Sequence, residues 1–133
     1  MTIVVDASVI AAALIQDDQI GDWALQLLAD HQLIAPQLLL PEVAIVIRRL
    51  INNKRISNDV GALAHAELLQ LRIGLYDYRP LAGRVWELRN TLTTYDAWYV
   101  ALAESFDLSL ATLDRRMMKA NGPRCDFVTA PAS

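Results

Sequence analysis

Four carboxylates stand where the local sequence predicts one element to end or another to begin. Asp6 directly follows the β-branched run Thr2–Val5 and precedes an apolar stretch, a place with little solvent unless a cleft opens there. Glu42 follows Pro41, Asp96 follows Thr93, Thr94 and Tyr95, and Asp114 comes shortly after LSLAT. The last three also suit helix N-termini, where acids act as caps or as partners of the helix dipole. Taken singly, Glu42 and Asp114 read more readily as structural, Asp96 evenly, and Asp6 as functional. Brought together about 5 Å apart, each neighbouring pair of charges would repel by roughly 3 kcal/mol at an effective dielectric near 20. A divalent cation reverses that sign, and a set of oxygen donors selects magnesium or manganese over zinc.

The elements that must position these acids alternate between strand and helix. TIVV predicts a short strand buried on both faces, and the SVIAAALIQ that follows predicts a helix capped by Ser8. A helix is expected from about Gly21 to Asp30 and a strand over Leu33–Ala35. Pro41 suits the first turn of a third helix that runs through VAIVIRRLINN, which puts Glu42 in that turn. A fourth helix over Asp59–Leu71 makes a hairpin with the third near Arg55–Asn58. Further expectations are a strand over Leu75–Tyr78, helices over Leu81–Asn90 and Tyr95–Ser105, a strand over Leu108–Thr112, a short helix over Asp114–Lys119 and an edge strand at Phe127 and Val128. This alternation predicts one α/β domain over residues 1–133, with helices around a short parallel sheet. Ligands of such sheets bind beyond the carboxyl ends of the strands, where Asp6 and Asp114 fall.

Composition narrows the classes. At 54% hydrophobic and 20% charged residues, the chain is too apolar for disorder. Its longest runs without an acid or base, Ala7–Gln16 and His31–Pro41, are shorter than the roughly 18 residues of a membrane helix. The first basic residue is Arg48 and Asp6 interrupts the N-terminal run, so no secretory signal is expected, and the single Cys125 excludes an internal disulfide and a Cys-based zinc site. A cytoplasmic protein with no membrane association is expected. Residues 1–47 hold six acids and no base, whereas the remainder holds nine acids and twelve bases. Basic groups can therefore meet phosphates beside an acidic site despite a net charge of -3. Arg115, Arg116 and Lys119 are the better placed of two such groups, and Arg115 and Arg116 read as RNA contacts; the other, Arg48, Arg49, Lys54 and Arg55, divides evenly between RNA and solvent. His31 and His65 have no metal-ligand spacing and read as surface or cap residues; Trp23 and Trp86 read as core or interface, and Trp98 and Tyr99, which follow Asp96 on its helix, as core, with one of the two a candidate to line the cleft.

An Asp at a strand end also opens phosphatases of the haloacid dehalogenase type, but their second Asp would fall at Ser8. Phospho-receiver domains want an acidic pair and a late Lys, and neither is apparent. The chain instead resembles the PIN-domain nucleases, and most closely VapC-type toxins of prokaryotic toxin–antitoxin pairs. VVDASVI resembles the opening motif with Asp6 and Ser8, LLLPEVAIVIRRL the segment with the helical acid Glu42, and LTTYDAWYVALAESFDLSLATLDRRM the block with Asp96, Thr112 and Asp114. The resemblance implies a three-layer α/β/α fold and a metal-dependent endoribonuclease that leaves a 5′-phosphate and a 3′-hydroxyl. It implies that Asp6, Glu42, Asp96 and Asp114 are catalytic and bind one or two Mg2+ or Mn2+ ions, directly or through water, with Ser8 and Thr112 orienting them or the bound water. It further implies a cognate antitoxin. A homodimer is expected both from the resemblance and from the apolar excess of the first helices and LIAPQLLLPEVAIVI. The family pattern is departed from at Ile45, where many relatives carry Asn, and at Arg115 and Arg116, where some carry another acid. The competing reading is a catalytically silent PIN-like module that binds RNA or protein.

Overall fold

The computed structural model describes residues 1–132. Its elements, in chain order, are β1 (Thr2–Val5), α1 (Ala7–Ile15), α2 (Gln19–Asp30), β2 (Gln32–Pro36), α3 (Leu39–Asn52), α4 (Asn58–Leu68), β3 (Ile73–Tyr76), a 3-10 turn (Arg79–Leu81), α5 (Ala82–Glu87), α6 (Thr94–Ser105), β4 (Leu110–Ala111), α7 (Arg115–Lys119) and β5 (Phe127–Val128). The five strands are all parallel, in the order β3-β2-β1-β4-β5. Parallel neighbours need crossovers, and here each crossover is helical. Helices α1 to α4 pack on one another, whereas α5 packs on α6 and α6 lies against β1, β2 and β4. The result is the expected three-layer α/β/α arrangement. Among the described residues no helix is long and apolar enough to cross a membrane.

The strand order reverses beside β1. The chain leaves β1 for β2 and β3 on one side, then returns to β4 and β5 on the other, opening a crevice between the carboxyl ends of β1 and β4. Val4 pairs with Leu110 and Val5 with Ala111, and the Asp6 N–H donates to the Ala111 carbonyl at 3.1 Å. The register thus fixes Asp6 beside Thr112. Val4, Val5, Leu110 and Ala111 are fully buried, as are Val9 and Ile10 of α1 and Val100 and Leu102 of α6. Alanines at 97, 101 and 103 let α6 approach the sheet closely, and those at 11 to 13 bury α1 among its helical neighbours. At the α1–α2 corner, a Cβ on Gly21 would stand 2.0 Å from the Gln16 carbonyl oxygen, so only glycine fits.

The structure corrects several boundaries. Asp6, not Ser8, caps α1: its carboxylate accepts from the Ser8 and Val9 N–H groups. Strand β3 lies two residues earlier than expected, and the expected helix over Leu81–Asn90 is a 3-10 turn followed by six residues of α5. Beyond Glu87, Leu88 and Arg89 close i→i+3 bonds that tighten the chain into turns. Much of LIAPQLLLPEVAIVI is internal, with Leu33, Ile34, Ala35, Leu39, Val43 and Ile47 in the core. The apolar excess expected there to form an interface is therefore largely absorbed by the monomer. The large apolar side chains left exposed include Leu25 on α2, Ile45 on α3, and Val60 and Leu63 on α4.

Candidate active site

At the β1–β4 crevice, Asp6 is only 5% exposed yet surrounded by donors. Its Oδ1 accepts from the Ser8 N–H at 3.0 Å, the Ser8 hydroxyl at 2.5 Å and the Val9 N–H at 3.3 Å, and its Oδ2 accepts from the Thr112 hydroxyl. The two hydroxyls tie both chain segments together. Ser8 Oγ accepts from the Leu113 N–H at 3.0 Å, and Thr112 Oγ1 accepts from the Asp114 N–H at 3.0 Å. Burial pushes the Asp6 carboxyl above its ordinary value, and the hydroxyls and N–H groups pull it partly back.

Glu42 reaches the same edge from the first turn of α3, and Tyr99 of α6 donates its hydroxyl to Glu42 Oε1 at 2.6 Å. Burial raises the Glu42 carboxyl; Tyr99 opposes this, while the charges of Asp6 and Asp96 add to it. Asp96 sits in the first turn of α6, whose N-cap Thr93 accepts from the Asp96 N–H at 3.2 Å. Burial raises Asp96 as well; the Thr93 hydroxyl lowers it, Asp114 adds to the rise and Arg116 opposes it. Asp114 caps α7, its Oδ1 accepting from the Arg116 and Met117 N–H groups at 3.0 and 3.4 Å. The four acids are therefore near enough to influence one another in a chain, Asp6 and Asp96 acting on Glu42 and Asp114 on Asp96.

The only cationic side chain paired with any of them, among the described residues, is Arg116, whose Nε lies 3.7 Å from Asp114 Oδ1. Its side chain is 94% exposed, too well solvated to neutralise the buried acids. Among the described residues no three His, Cys, Asp or Glu side chains converge tightly enough to ligate one ion together. That spacing still fits a hard cation such as magnesium, which keeps several waters and takes one or two carboxylates directly. The all-oxygen donors, and the absence of a buried cationic partner for Asp6 among the described residues, fit the same ion. Several kcal/mol of desolvation is the usual cost of such an uncompensated buried charge.

Arg115 and Arg116 part company: Arg116 faces Asp114, whereas Arg115 lines a separate cleft with Leu113 and Trp23. Tyr99, expected in the core, is buried there, but its hydroxyl also serves Glu42. The available signal is its i+3 spacing from Asp96, which puts both on one helix face. Ile45 is 54% exposed on α3 and does nothing for Glu42. His31 Nδ1 lies 2.9 Å from the Leu27 carbonyl, a capping contact as expected. The Cys125 thiol is pushed up to about 11, chiefly by burial, leaving it unreactive near neutrality.

With this geometry in view, comparison with known proteins gives a consistent picture. The model of the PIN domain matches residues 3–123. The chain is 38% identical to ribonuclease VapC9 of Mycobacterium tuberculosis over 129 residues, covering 97% of this chain and 98% of that one. It is 36% identical to ribonuclease VapC1 of the same species over 125 residues, covering 93% and 94%. Among solved structures, that of VapBC2 from Rickettsia felis bound to a promoter DNA fragment superimposes with a TM-score of 0.69 at 11% identity, covering 98% of this chain and 100% of that one.

Proposed function

Because the chain belongs to the PIN domain family, we propose that it is an endoribonuclease and the toxin of a toxin–antitoxin pair, dependent on magnesium or manganese. The ribonuclease names of relatives that match it almost end to end support the activity. The observation that carries the reading is Asp6, a buried carboxylate at the strand-order reversal, fixed by two hydroxyls and left without a cation of its own among the described residues.

Asp6, Glu42, Asp96 and Asp114 would hold the cation, partly through water. When bound, such an ion neutralises charge on a phosphodiester and lowers the pKa of an attacking water. The remaining work belongs to the protein. Ser8 and Thr112 keep Asp6 oriented and oppose the rise that burial imposes on its carboxyl, and Tyr99 does the same for Glu42. Arg116 meets a phosphate oxygen at the rim beside Asp114. No side chain is needed as nucleophile, and the products expected are a 5′-phosphate and a 3′-hydroxyl.

The ribonuclease names of the relatives support RNA as the substrate; a cognate antitoxin, a cytoplasmic setting and a homodimer complete the proposal. Exposed Leu25, Ile45, Val60 and Leu63 offer apolar surface for these associations. The test is cleavage of RNA by the purified chain with magnesium, with manganese and with excess chelator, for wild type, Asp6→Asn and Asp96→Asn. Cleavage is expected only in wild type with metal, both variants remaining folded. Persistence in chelator would falsify the metal-dependent reading.

A further inference from the structure

Beside the carboxylates lies a second concavity of about 690 Å3, lined by Asp18, Ile20 and Trp23 of the α2 end, by Leu113 and Arg115 of the β4–α7 turn, and by the chain after β5. Its size is that of a small-molecule site. One residue separates it from the candidate active site: Leu113 forms its wall, while the flanking Thr112 and Asp114 belong to the carboxylate cluster, and the Leu113 N–H is held by Ser8.

Three features of this wall suit one ligand. Trp23 is half-buried, so its indole combines a fixed seat against the core with an open part, the combination that base stacking uses. Arg115 is exposed and makes no ion pair among the described residues, leaving its guanidinium free beside the place where a phosphate would sit. Asp18 caps α2 with Oδ1 alone, accepting from the Gly21 N–H at 2.9 Å, and its second oxygen accepts from nothing among the described residues. A flat apolar face, an anion and an edge that donates hydrogen bonds are together the properties of a nucleotide.

The geometry points to a base-binding subsite for the RNA strand, next to the cleaved phosphate, that prefers a base with an exocyclic amine on its pairing edge. The inference rests on the ribonuclease reading and deepens it. The base stacks on Trp23, its phosphate faces Arg115 and its amine donates to the free oxygen of Asp18. Adenine, guanine and cytosine supply that amine. Uracil has only N3–H, flanked by two carbonyl oxygens that repel a carboxylate. An apolar peptide side chain would satisfy Trp23 but neither charged group.

The test follows the Trp23 indole N–H by NMR in chelator, with exposed Trp86 as the internal control, while adenine, cytosine and uracil pentaribonucleotides are added. Adenine and cytosine are expected to shift Trp23 with affinity about tenfold tighter than uracil, the usual scale of one base-edge contact. Asp18→Asn keeps the helix cap, since Asn caps as well as Asp, but replaces the free acceptor with a donor. It should erase or invert the preference without unfolding the chain. A Trp23 resonance that no oligonucleotide moves, or equal shifts for all three with no effect of Asp18→Asn, overturns the subsite. So does a Trp23 shift produced by an antitoxin peptide and by no RNA, which would make the cleft a protein-docking site. Cleavage of the same oligonucleotides with magnesium separates the two readings: an inactive wild type with base-selective shifts refutes the ribonuclease and leaves the subsite, whereas an active one without shifts refutes the subsite alone.

Discussion

Replacing Tyr99 with Phe removes a single oxygen from a fully buried ring and leaves its packing in place. The deleted bond, 2.6 Å from hydroxyl to carboxylate, has the length of a charge-assisted one. Such bonds contribute about 1.5–3 kcal/mol. Glu42 is then left with no side-chain donor among the described residues, while the charges of Asp6 and Asp96 still oppose its ionised form. At about 1.4 kcal/mol per factor of ten, the deletion should weaken binding of manganese by roughly 10- to 100-fold. Its effect on cleavage should be largest at subsaturating metal and partly recovered at high metal. Direct titration of Mn2+ binding, alongside cleavage rate against metal concentration, measures both. Glu42→Gln in the same assay should abolish activity that no metal concentration restores. If Tyr99→Phe lowers stability but leaves manganese affinity and the metal dependence of cleavage at wild-type values, Tyr99 is a packing residue and the reasoning fails.

Further outcomes follow from other interactions. Thr112→Val keeps the volume of a fully buried side chain but strips Asp6 Oδ2 and the Asp114 N–H of their shared partner, so urea unfolding should show a drop of about 2–4 kcal/mol together with abolished cleavage. Arg84 donates to both Glu104 oxygens, at 2.7 and 3.1 Å, and to the Gly122 carbonyl, tying α5 to α6 and the α7–β5 segment; Arg84→Met should cost about 1–3 kcal/mol in thermal unfolding. Burial raises Glu104, but Arg84 and the Arg124 N–H outweigh it and hold its carboxyl below the ordinary value. The contribution is then complete above the unfolded carboxyl pKa and disappears as pH falls through the folded one, so wild type and Arg84→Met should converge in stability in acid. Neutralising Arg115 and Arg116 to Ala should reduce the slope of log affinity against log salt for single-stranded RNA by about 0.7 for each phosphate no longer neutralised, and an unchanged slope would assign both to a solvated surface.

The strands and helices are legible wherever a buried apolar run meets a clear breaker. TIVV ending at Asp6, the Pro41 helix and the alanine-rich α6 are such cases, and they carry Asp6, Glu42 and Asp96 to one edge. Strand β3 escapes that logic because Gly74 gives it no side-chain signal, its position being fixed instead by pairing of Leu33 with Ile73 and Ala35 with Leu75. β4 is shorter than the expected Leu108–Thr112 because Leu108 closes the end of α6: its N–H bonds the Ala103 carbonyl after Asp107 turns through positive φ. Side-chain partners across the fold leave no periodic trace. The Tyr99–Glu42 bond spans 57 positions and Thr112–Asp6 spans 106, so neither spacing nor propensity announces them.

The capping and functional readings of these acids, which compete when only the sequence is considered, describe one arrangement in the structure. Asp6 caps α1 and Asp114 caps α7, while Glu42 and Asp96 occupy the first turns of α3 and α6. Four helix N-termini thus face the edge where the acids gather, and their dipoles, together with the first-turn N–H groups that donate to Asp6 and Asp114, offset part of the mutual repulsion. That offset stands in for a buried Lys or Arg, which would compete with a cation for the same oxygens. It also explains why Ser8 and Thr112 are hydroxyls: each donates to Asp6 while accepting from the backbone of the neighbouring segment, a pair of roles that neither an apolar nor a charged side chain performs. The site therefore depends on backbone N–H groups as much as on its acids. A substitution that displaces the β4–α7 turn should damage it even with all four carboxylates intact.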